Sequence, residues 1–255
     1  MLLCKRLSKK IGGRTILENV TMQIDPGECV CILGAAGSGK TTLFDLLITA
    51  TKPSSGSIEV DGVPMGNLPP LILQLLRSRL GIIFQNSRLL PDLTLRENIA
   101  YPLEIQGMST RTTEQRVDIL LRRLGLDAKA ECFADDLSIS ERAIAGLARA
   151  VVAEPMLLIA DEPFQTLDDA QKTAAIALLM ESQAAGATII ILTSDAALPA
   201  MLSARTLRLA RGNIEEMHSK PTKQVAPPRR TAEAAIEEIT MSAGRRKVKI
   251  TSIGA

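Results

Sequence analysis

The chain has 255 residues, of which 46% are apolar, so one large domain with small additions is expected. Its 30 basic and 28 acidic residues nearly balance, which argues against a nucleic-acid partner and against strong electrostatic attraction to a membrane. The four cysteines contain no Cys-x-x-Cys pair and only one histidine is present, so a zinc site is not expected either.

Short apolar runs alternate with helical patterns along the chain. Strands are predicted at residues 28–33, 57–60, 80–85, 156–161 and 187–193. A glycine loop and a helix over 41–50 follow the first strand, a second helix is predicted over 171–186, and a hairpin is predicted around residues 211–213. Continuous apolar strands separated by helices are typical of a mostly parallel sheet covered on both faces, so we expect an α/β fold.

Two stretches depart from this alternation. Residues 94–153 have a helical pattern throughout, and we expect a helical subdomain over about 86–153, inserted in a domain that spans 1–218. Residues 219–255 form a basic tail that contains a proline-bearing linker and a short element. The tail is either a solvated end or a segment that contacts anionic lipid headgroups.

Membrane insertion is not expected from the sequence. No apolar run approaches the ~18 residues that span a bilayer, and no signal peptide is recognised at the start. We therefore expect a cytoplasmic chain without its own transmembrane span, held at the inner face of the cell membrane only through a partner.

The stretch GAAGSGKT, which follows the first strand and opens the helix, predicts a phosphate-binding loop. Its glycines let main-chain N–H groups converge on phosphate oxygens, and the helix N-terminus adds positive potential. Lys40 is placed to reach the β- and γ-phosphates of a nucleotide, and the Thr41 hydroxyl is placed to bind Mg²⁺. The nucleotide-binding residues predicted here are Gly34, Ala35, Ala36, Gly37, Ser38, Gly39, Lys40, Thr41 and Thr42.

A second polar motif lies at the end of another apolar strand. Asp161 ends this strand, where a buried carboxylate requires a charged partner such as the Mg²⁺ of a bound nucleotide. Glu162 is placed to activate an attacking water, and Gln85 is a candidate to contact the metal ion or the water. We predict ATP and Mg²⁺ as cofactors, with Thr41, Gln85 and Asp161 at the metal and Glu162 and Gln85 in catalysis.

Together these motifs resemble those of the ABC-type ATPases, the nucleotide-binding subunits of ABC transporters. Residues 34–41 resemble the Walker A motif of that family, Asp161 and Glu162 resemble Walker B with its catalytic glutamate, and Gln85 resembles the Q-loop. The stretch TLDD at 166–169 resembles the D-loop, and the similarity covers roughly residues 7–216. The resemblance implies a P-loop NTPase fold of ABC type, with an antiparallel β part and an inserted helical subdomain beside the parallel sheet.

Within this family the chain is most similar to the FtsE subfamily of cell-division ATPases. The similar stretches include LGIIFQNSRLLPDLTLRENIAYPLEIQG, RRLGLDAKAECF and ADEPFQTLDDA. This similarity implies an FtsX-like integral membrane partner. The LolD and MacB types, which serve other membrane permease subunits, have similar motif spacing and stay open as alternatives.

The signature motif of the family departs from its usual sequence here. Aligned through Leu137 and Ser138, the usual Gly-Gly-Gln falls on Ile139, Ser140 and Glu141. In the family this motif contacts the γ-phosphate bound by the opposite subunit. Ile139 adds bulk where close main-chain approach is needed, whereas Ser138 is kept as a hydrogen-bond donor to that phosphate.

Two further positions also differ from the family. Thr193-Ser194-Asp195 stands where the family has Thr-His-Asp, and Ser194 cannot carry the positive charge of an imidazole. Ile11 is the expected occupant of the position where an aromatic side chain stacks on adenine. Its apolar contact gives up stacking worth about 1 kcal/mol or more.

The resemblance implies a head-to-tail dimer of nucleotide-binding domains, either a homodimer or a heterodimer. Neither assembly would contain a complete site, because this chain lacks both the switch histidine and a normal signature motif. We therefore expect ATP binding to persist and hydrolysis to be slow. A transport ATPase of the LolD or MacB type and a non-hydrolysing ATP-binding scaffold are the alternatives.

Overall fold

The computed structural model describes residues 2–217, so the basic tail predicted at 219–255 lies outside the described residues. The strands within this range are β1 (Leu2–Ile11), β2 (Arg14–Ile24), β3 (Cys29–Leu33), β4 (Ser55–Val60), β5 (Val63–Pro64), β6 (Leu80–Ile83), β7 (Leu157–Asp161), β8 (Thr188–Thr193), β9 (Arg205–Ala210) and β10 (Asn213–Met217). The α-helices are α1 (Lys40–Leu47), α2 (Pro70–Arg77), α3 (Leu95–Ile105), α4 (Thr110–Arg123), α5 (Ile139–Val151), α6 (Asp169–Ala184) and α7 (Leu198–Met201).

A six-stranded sheet in the order β10-β9-β3-β8-β7-β6 forms the centre of the fold. Its neighbouring strands are parallel except for the β9–β10 hairpin. Alternate residues of β8 belong to different cores: Ile189 and Ile191 pack in one hydrophobic cluster, and Ile190 and Leu192 in the other. Because both faces are covered, β7 and β8 are apolar along their length, and the predicted mostly parallel α/β fold is confirmed.

A second, antiparallel sheet in the order β2-β1-β4-β5 shares one of these two cores with α1. Strands β1 and β2 are joined at Gly12 and Gly13, which have φ values of 56° and 79°. Two successive positive φ values are typical of a tight hairpin turn, and glycine adopts them without steric cost. The hairpin pairs Ile11 directly with Arg14 across the two strands.

Helices α3, α4 and α5 lie between β6 and β7 in the chain and pack into the other core. Asn98 is fully buried there and accepts from the main-chain N–H of Leu90, while its amide donates to the main-chain oxygens of Leu90, Leu93 and Thr94. Within residues 2–217, no helix combines the length and the apolarity that crossing a membrane requires.

Several predicted boundaries differ from the structure by a few residues, and two of them have a clear local cause. Helix α1 ends at Leu47, before the predicted residue 50, because Thr49 has a left-handed main chain with φ 57°. Helix α6 begins at Asp169, two residues before the prediction, because Asp168 and Gln171 form a capping box at its N-terminus.

Candidate nucleotide-binding site

Three polar segments meet at the carboxyl-terminal edge of the central sheet. The register pairs Leu33 with Thr193 between β3 and β8, and Asp161 with Leu192 between β7 and β8. The loop after β3, the acidic pair at the end of β7 and residues 193–195 after β8 therefore lie side by side. In open α/β sheets, ligands bind at this edge.

The loop between β3 and α1 depends on glycine at specific points. Gly37 and Gly39 have φ values of 75° and 103°, which other residues rarely adopt. At Gly34 a Cβ atom would lie 2.4 Å from Ser38 Oγ and 3.0 Å from the main-chain oxygen of Leu209, so a side chain does not fit. The loop leads directly into the N-terminus of α1, where main-chain N–H groups can bind a phosphate.

Lys40 is the first residue of α1 and is only 8% exposed. Its Nζ donates to the main-chain oxygens of Gly34 at 2.7 Å and Ala35 at 3.0 Å, and it lies 3.3 Å from Glu162 Oε1. The ammonium group is thus held over the loop, where a phosphate would compete with Glu162 for it.

Asp161 ends β7 and is 2% exposed, and within residues 2–217 its Oδ1 atom has no hydrogen-bond partner. Burial raises the pKa of this carboxyl above its ordinary value, and a hydrogen bond with Thr41 opposes that rise. A buried carboxylate oxygen without a donor, beside a hydroxyl, fits a divalent cation. The residues at this position therefore fit Mg²⁺, as the sequence predicts.

Glu162 is held by the segment that follows β8. Its Oε2 atom accepts from Thr193 Oγ1 at 3.1 Å and from the main-chain N–H of Ser194, also at 3.1 Å. Its own main chain has φ 46°, a conformation unusual for a residue other than glycine. The carboxylate is therefore fixed through its side chain in a main-chain conformation that costs energy.

A cavity of about 370 Å³ opens at this edge of the sheet. Gln85 and Gln165 face it, and Gln85 Nε2 donates to Gln165 Oε1 at 3.1 Å. Other residues that line it are Ile16, Ala36, Gly37, Gly39, Lys40, Thr41, Thr42, Glu162 and Ser194. The structure thus gathers the predicted phosphate loop, Gln85, the predicted catalytic Glu162 and Ser194 around one space.

A larger cavity of about 880 Å³ adjoins the same loop through Gly34, Ala35, Ala36, Gly37 and Ser38, and Ser194 also lines it. Ile11 lines neither of these two cavities and is 53% exposed at the end of β1, whereas Arg14 and Ile16 line the larger one. Sequence reasoning missed Arg14 and Ile16. The Gly12 and Gly13 turn signal was available to place them next to Ile11.

The altered signature motif forms the N-terminus of α5 and lines neither cavity. The Ser138 main-chain N–H donates to Glu141 Oε2 at 2.7 Å, and the Glu141 main-chain N–H donates to Ser138 Oγ at 3.2 Å. The hydrogen bond from Ser138 lowers the pKa of Glu141, so its carboxylate is ionised at neutral pH. Ile139 beside it is 64% exposed. The Ser-x-x-Glu spacing is a capping-box signal that the sequence carried.

Helix α5 is tied to the loop that follows Gln85. Arg149 donates to the main-chain oxygens of Ser87 at 2.7 Å and Arg88 at 2.9 Å. At Gly146 a Cβ atom would lie 3.3 Å from Ser87 Cβ, so glycine lets this loop approach the helix. Helix α5, which begins with the altered signature motif, therefore contacts the loop that follows Gln85 at the nucleotide cleft.

The segment after β8 is also tied to α6. Lys172 Nζ lies 2.5 Å from Asp195 Oδ2, and this contact holds the pKa of Asp195 below its usual value. Sequence reasoning missed Lys172 and Thr193. Thr193 carries the same signal as Asp161, a polar side chain at the end of a fully apolar strand.

Comparison with known proteins supports the same assignment. A family profile described as "ABC transporter" matches residues 17–165. The cell division ATP-binding protein FtsE of Escherichia coli strain K12 is 38% identical over 204 residues, which cover 80% of this chain and 92% of that protein. The methionine import ATP-binding protein MetN 2 of Paraburkholderia xenovorans is 40% identical over 180 residues, but the match covers only 47% of its length.

Solved structures agree with this comparison. The ATP-binding cassette MJ0796, solved as a dimer in a post-hydrolysis state with ADP and Pi, superposes with a TM-score of 0.79 at 27% identity. The match covers 86% of this chain and all of that one. With the family profile over more than half of the chain, and with the predicted phosphate loop, Glu162 and Gln85 around one cleft, the chain belongs to the ATP-binding domains of ABC transporters.

Proposed function

We propose that this chain is the ATP-binding subunit of an FtsE-type membrane complex, that it couples nucleotide state to an FtsX-like integral membrane partner in cell division, and that it hydrolyses ATP slowly. The observation that supports the proposal is that the glycine loop, Lys40 and Asp161 lie together at the sheet edge with groups suited to phosphates and Mg²⁺. Serine stands at the position of the family's switch histidine, which supports slow hydrolysis. The similarity to FtsE supports the choice of partner. The chain would lie in the cytoplasm, at the membrane face where that partner is embedded.

Binding of ATP rests on groups that the cleft holds in place. Main-chain N–H groups of the loop and the N-terminus of α1 would receive the phosphates, and Lys40 would exchange Glu162 for a phosphate oxygen. Thr41, Asp161 and Gln85 would hold Mg²⁺, which neutralises charge on the phosphates when it is bound.

Hydrolysis would use Glu162 as the general base. Oxygen from water bonds to the γ-phosphorus, the bond from that phosphorus to the bridging oxygen breaks, and ADP keeps the bonding electrons. The proton of the water passes to Glu162. Ser194 cannot provide the cationic donor of a histidine, and Glu141 places an anion at the signature. Because one missing donor commonly costs 10²–10³ in rate, turnover would be slow.

The test of ATP handling compares the wild type with two variants. Lys40→Ala should abolish ATP binding, and Glu162→Gln should leave binding intact while lowering the residual turnover by a further ~10²–10⁴-fold. Lys5→Ala, which alters an exposed lysine paired with Glu59, is the matched control and should behave as the wild type. Turnover of several per second that Glu162→Gln abolishes would refute slow hydrolysis. ATP binding without any turnover would favour the non-hydrolysing ATP-binding scaffold instead.

The partner is tested by purification from membranes. Recovery with a four-span division protein supports the FtsX-like partner, and recovery with a multi-span exporter permease supports a transport ATPase of the LolD or MacB type. The similarity to methionine import proteins gives the transport candidate its support. If deletion of residues 219–255 leaves membrane recruitment unchanged, lipid binding by this tail is refuted.

A further inference from the structure

Thr193 places a buried hydroxyl next to Glu162, which lines the smaller cavity of the nucleotide cleft. It ends β8 and is 2% exposed. Its Oγ1 atom accepts from the main-chain N–H of Asp195 at 3.0 Å and donates to Glu162 Oε2 at 3.1 Å. Because an ionised carboxylate offers no proton, the single proton of the hydroxyl is committed to Glu162.

The two oxygens of Glu162 face different partners. Oε2 receives both Thr193 Oγ1 and the main-chain N–H of Ser194, whereas Oε1 faces Lys40 Nζ at 3.3 Å. Lys40 is the phosphate-binding lysine of the proposed function, so Oε1 is the oxygen on the phosphate side. Oε1, which receives no hydrogen bond from Thr193 or Ser194, is therefore the oxygen that would accept a proton from water.

We propose that Thr193 is a positioning residue for hydrolysis: its hydroxyl, with the main-chain N–H of residue 194, fixes Glu162 Oε2 and leaves Oε1 directed at the attacking water. The inference rests on the proposed function and deepens it. The N–H contact does not depend on the side chain at position 194, so this anchor persists where the family's histidine is replaced by serine. It accounts for how a residual hydrolysis survives that replacement.

The anchor matters because Glu162 cannot be oriented by its main chain alone. Its φ of 46° lies in a sparsely populated region and persists only where surrounding contacts determine it. Loss of the Thr193 hydroxyl would leave Oε2 with one donor in a site that is 7% exposed. Misplacement of a catalytic group by about 1 Å is enough to cost on the order of 10²-fold in rate.

The test uses Thr193→Val, which keeps the shape and removes the hydroxyl, and Thr193→Ser, which keeps the hydroxyl. Thr188→Val is the matched control, because Thr188 is a fully buried threonine at the other end of β8 whose hydroxyl accepts from the Gly27 main-chain N–H. Single-turnover hydrolysis of labelled ATP gives the rate, and direct titration gives the Kd for ATP. Thr193→Val should lower the rate about 10- to 100-fold with the Kd changed less than about threefold. Thr193→Ser should restore most of the rate.

A double variant separates positioning from a structural role. In the Glu162→Gln background, Thr193→Val should have no further effect on the rate, because both changes remove the same function. Equal losses for Thr193→Val and Thr188→Val, or an additive loss in the double variant, would overturn the inference. Slow hydrolysis at the same rate by the wild type and Thr193→Val would overturn the inference alone. Wild-type protein that binds ATP and never hydrolyses it, or that does not bind ATP, would overturn the proposed function as well.

Discussion

Replacing Glu141 by glutamine should strengthen ATP-dependent pairing of two nucleotide-binding domains. In the proposed head-to-tail dimer, the N-terminus of α5 faces the γ-phosphate held by the other subunit. Here that N-terminus already carries an anion, because the Glu141 carboxylate accepts from the Ser138 main-chain N–H at 2.7 Å, and this contact lowers its pKa. The carboxylate both repels the phosphate and uses a donor that would otherwise be free to bind it.

The size of the effect follows from Coulomb's law. Two unit charges about 6 Å apart at an effective dielectric constant of about 20 repel by about 3 kcal/mol, which salt reduces for exposed groups. Glutamine keeps the capping box and loses the carboxylate's favourable interaction with the helix dipole, worth about 0.3–1 kcal/mol. The net gain is about 2 kcal/mol, or about 30-fold, for each nucleotide, so a dimer with two bound nucleotides should gain about 10³-fold in its dimerisation constant.

Sedimentation equilibrium with ATP, in the Glu162→Gln background to suppress turnover, measures this constant. The matched control is Glu97→Gln, because Glu97 forms the same capping box with Thr94 at the start of α3, with its Oε2 atom also 2.7 Å from the N-cap main-chain nitrogen. Equal dimerisation of the Glu141→Gln and Glu97→Gln proteins would refute the reasoning. A gain from Glu141→Gln that does not shrink with added salt would refute its electrostatic basis.

Three more outcomes are expected. Asp161→Asn should abolish Mg²⁺-dependent ATP binding yet raise the unfolding free energy by on the order of 1 kcal/mol without nucleotide, as calorimetry will report. Burial raises the pKa of Asp161, so the wild type gains stability when pH falls through that pKa and the carboxyl is protonated. The stability difference between Asp161→Asn and the wild type should therefore shrink over that pH range, and a constant difference would contradict this. Ser194→His should raise the steady-state turnover by up to ~10²-fold, which is the contribution of one transition-state donor. An unchanged rate would show that the side chain at position 194 does not limit hydrolysis. Ile11 is 53% exposed and pairs with Arg14, which lines the larger cavity, so the longer side chain of Ile11→Tyr should reach a base bound there. The variant should tighten ATP about fivefold or more and leave inorganic triphosphate unaffected in titrations, whereas tightening of both would exclude a base contact.

Much of the candidate site could be predicted from the sequence because its motifs consist of residues that are adjacent in the chain. The eight residues 34–41 form a strand-to-helix loop by local rules alone, and the apolar run that ends at Asp161 predicts a buried strand with an acidic end. The capping box at Ser138 and Glu141 is local as well, since it needs only a spacing of three residues on one helix.

Contacts between strands could not be predicted in this way. Lys40, Glu162 and Thr193 lie far apart in the chain, and only the parallel register of β3, β8 and β7 brings them within hydrogen-bond distance. The position of Ile11 depends on how the β1–β2 hairpin packs over the phosphate loop, and there Arg14 and Ile16 line the larger cavity instead.

The amino-acid sequence by itself therefore determined which chemical groups this protein has and their order along the chain. Loop conformation and helix capping follow from neighbouring residues, so these features were predictable from local patterns. Tertiary structure alone decided which oxygen of Glu162 is anchored and which faces Lys40. Sheet register and side-chain packing act between distant segments, since Thr193 lies 31 residues after Glu162 and Lys40 lies more than a hundred residues before it.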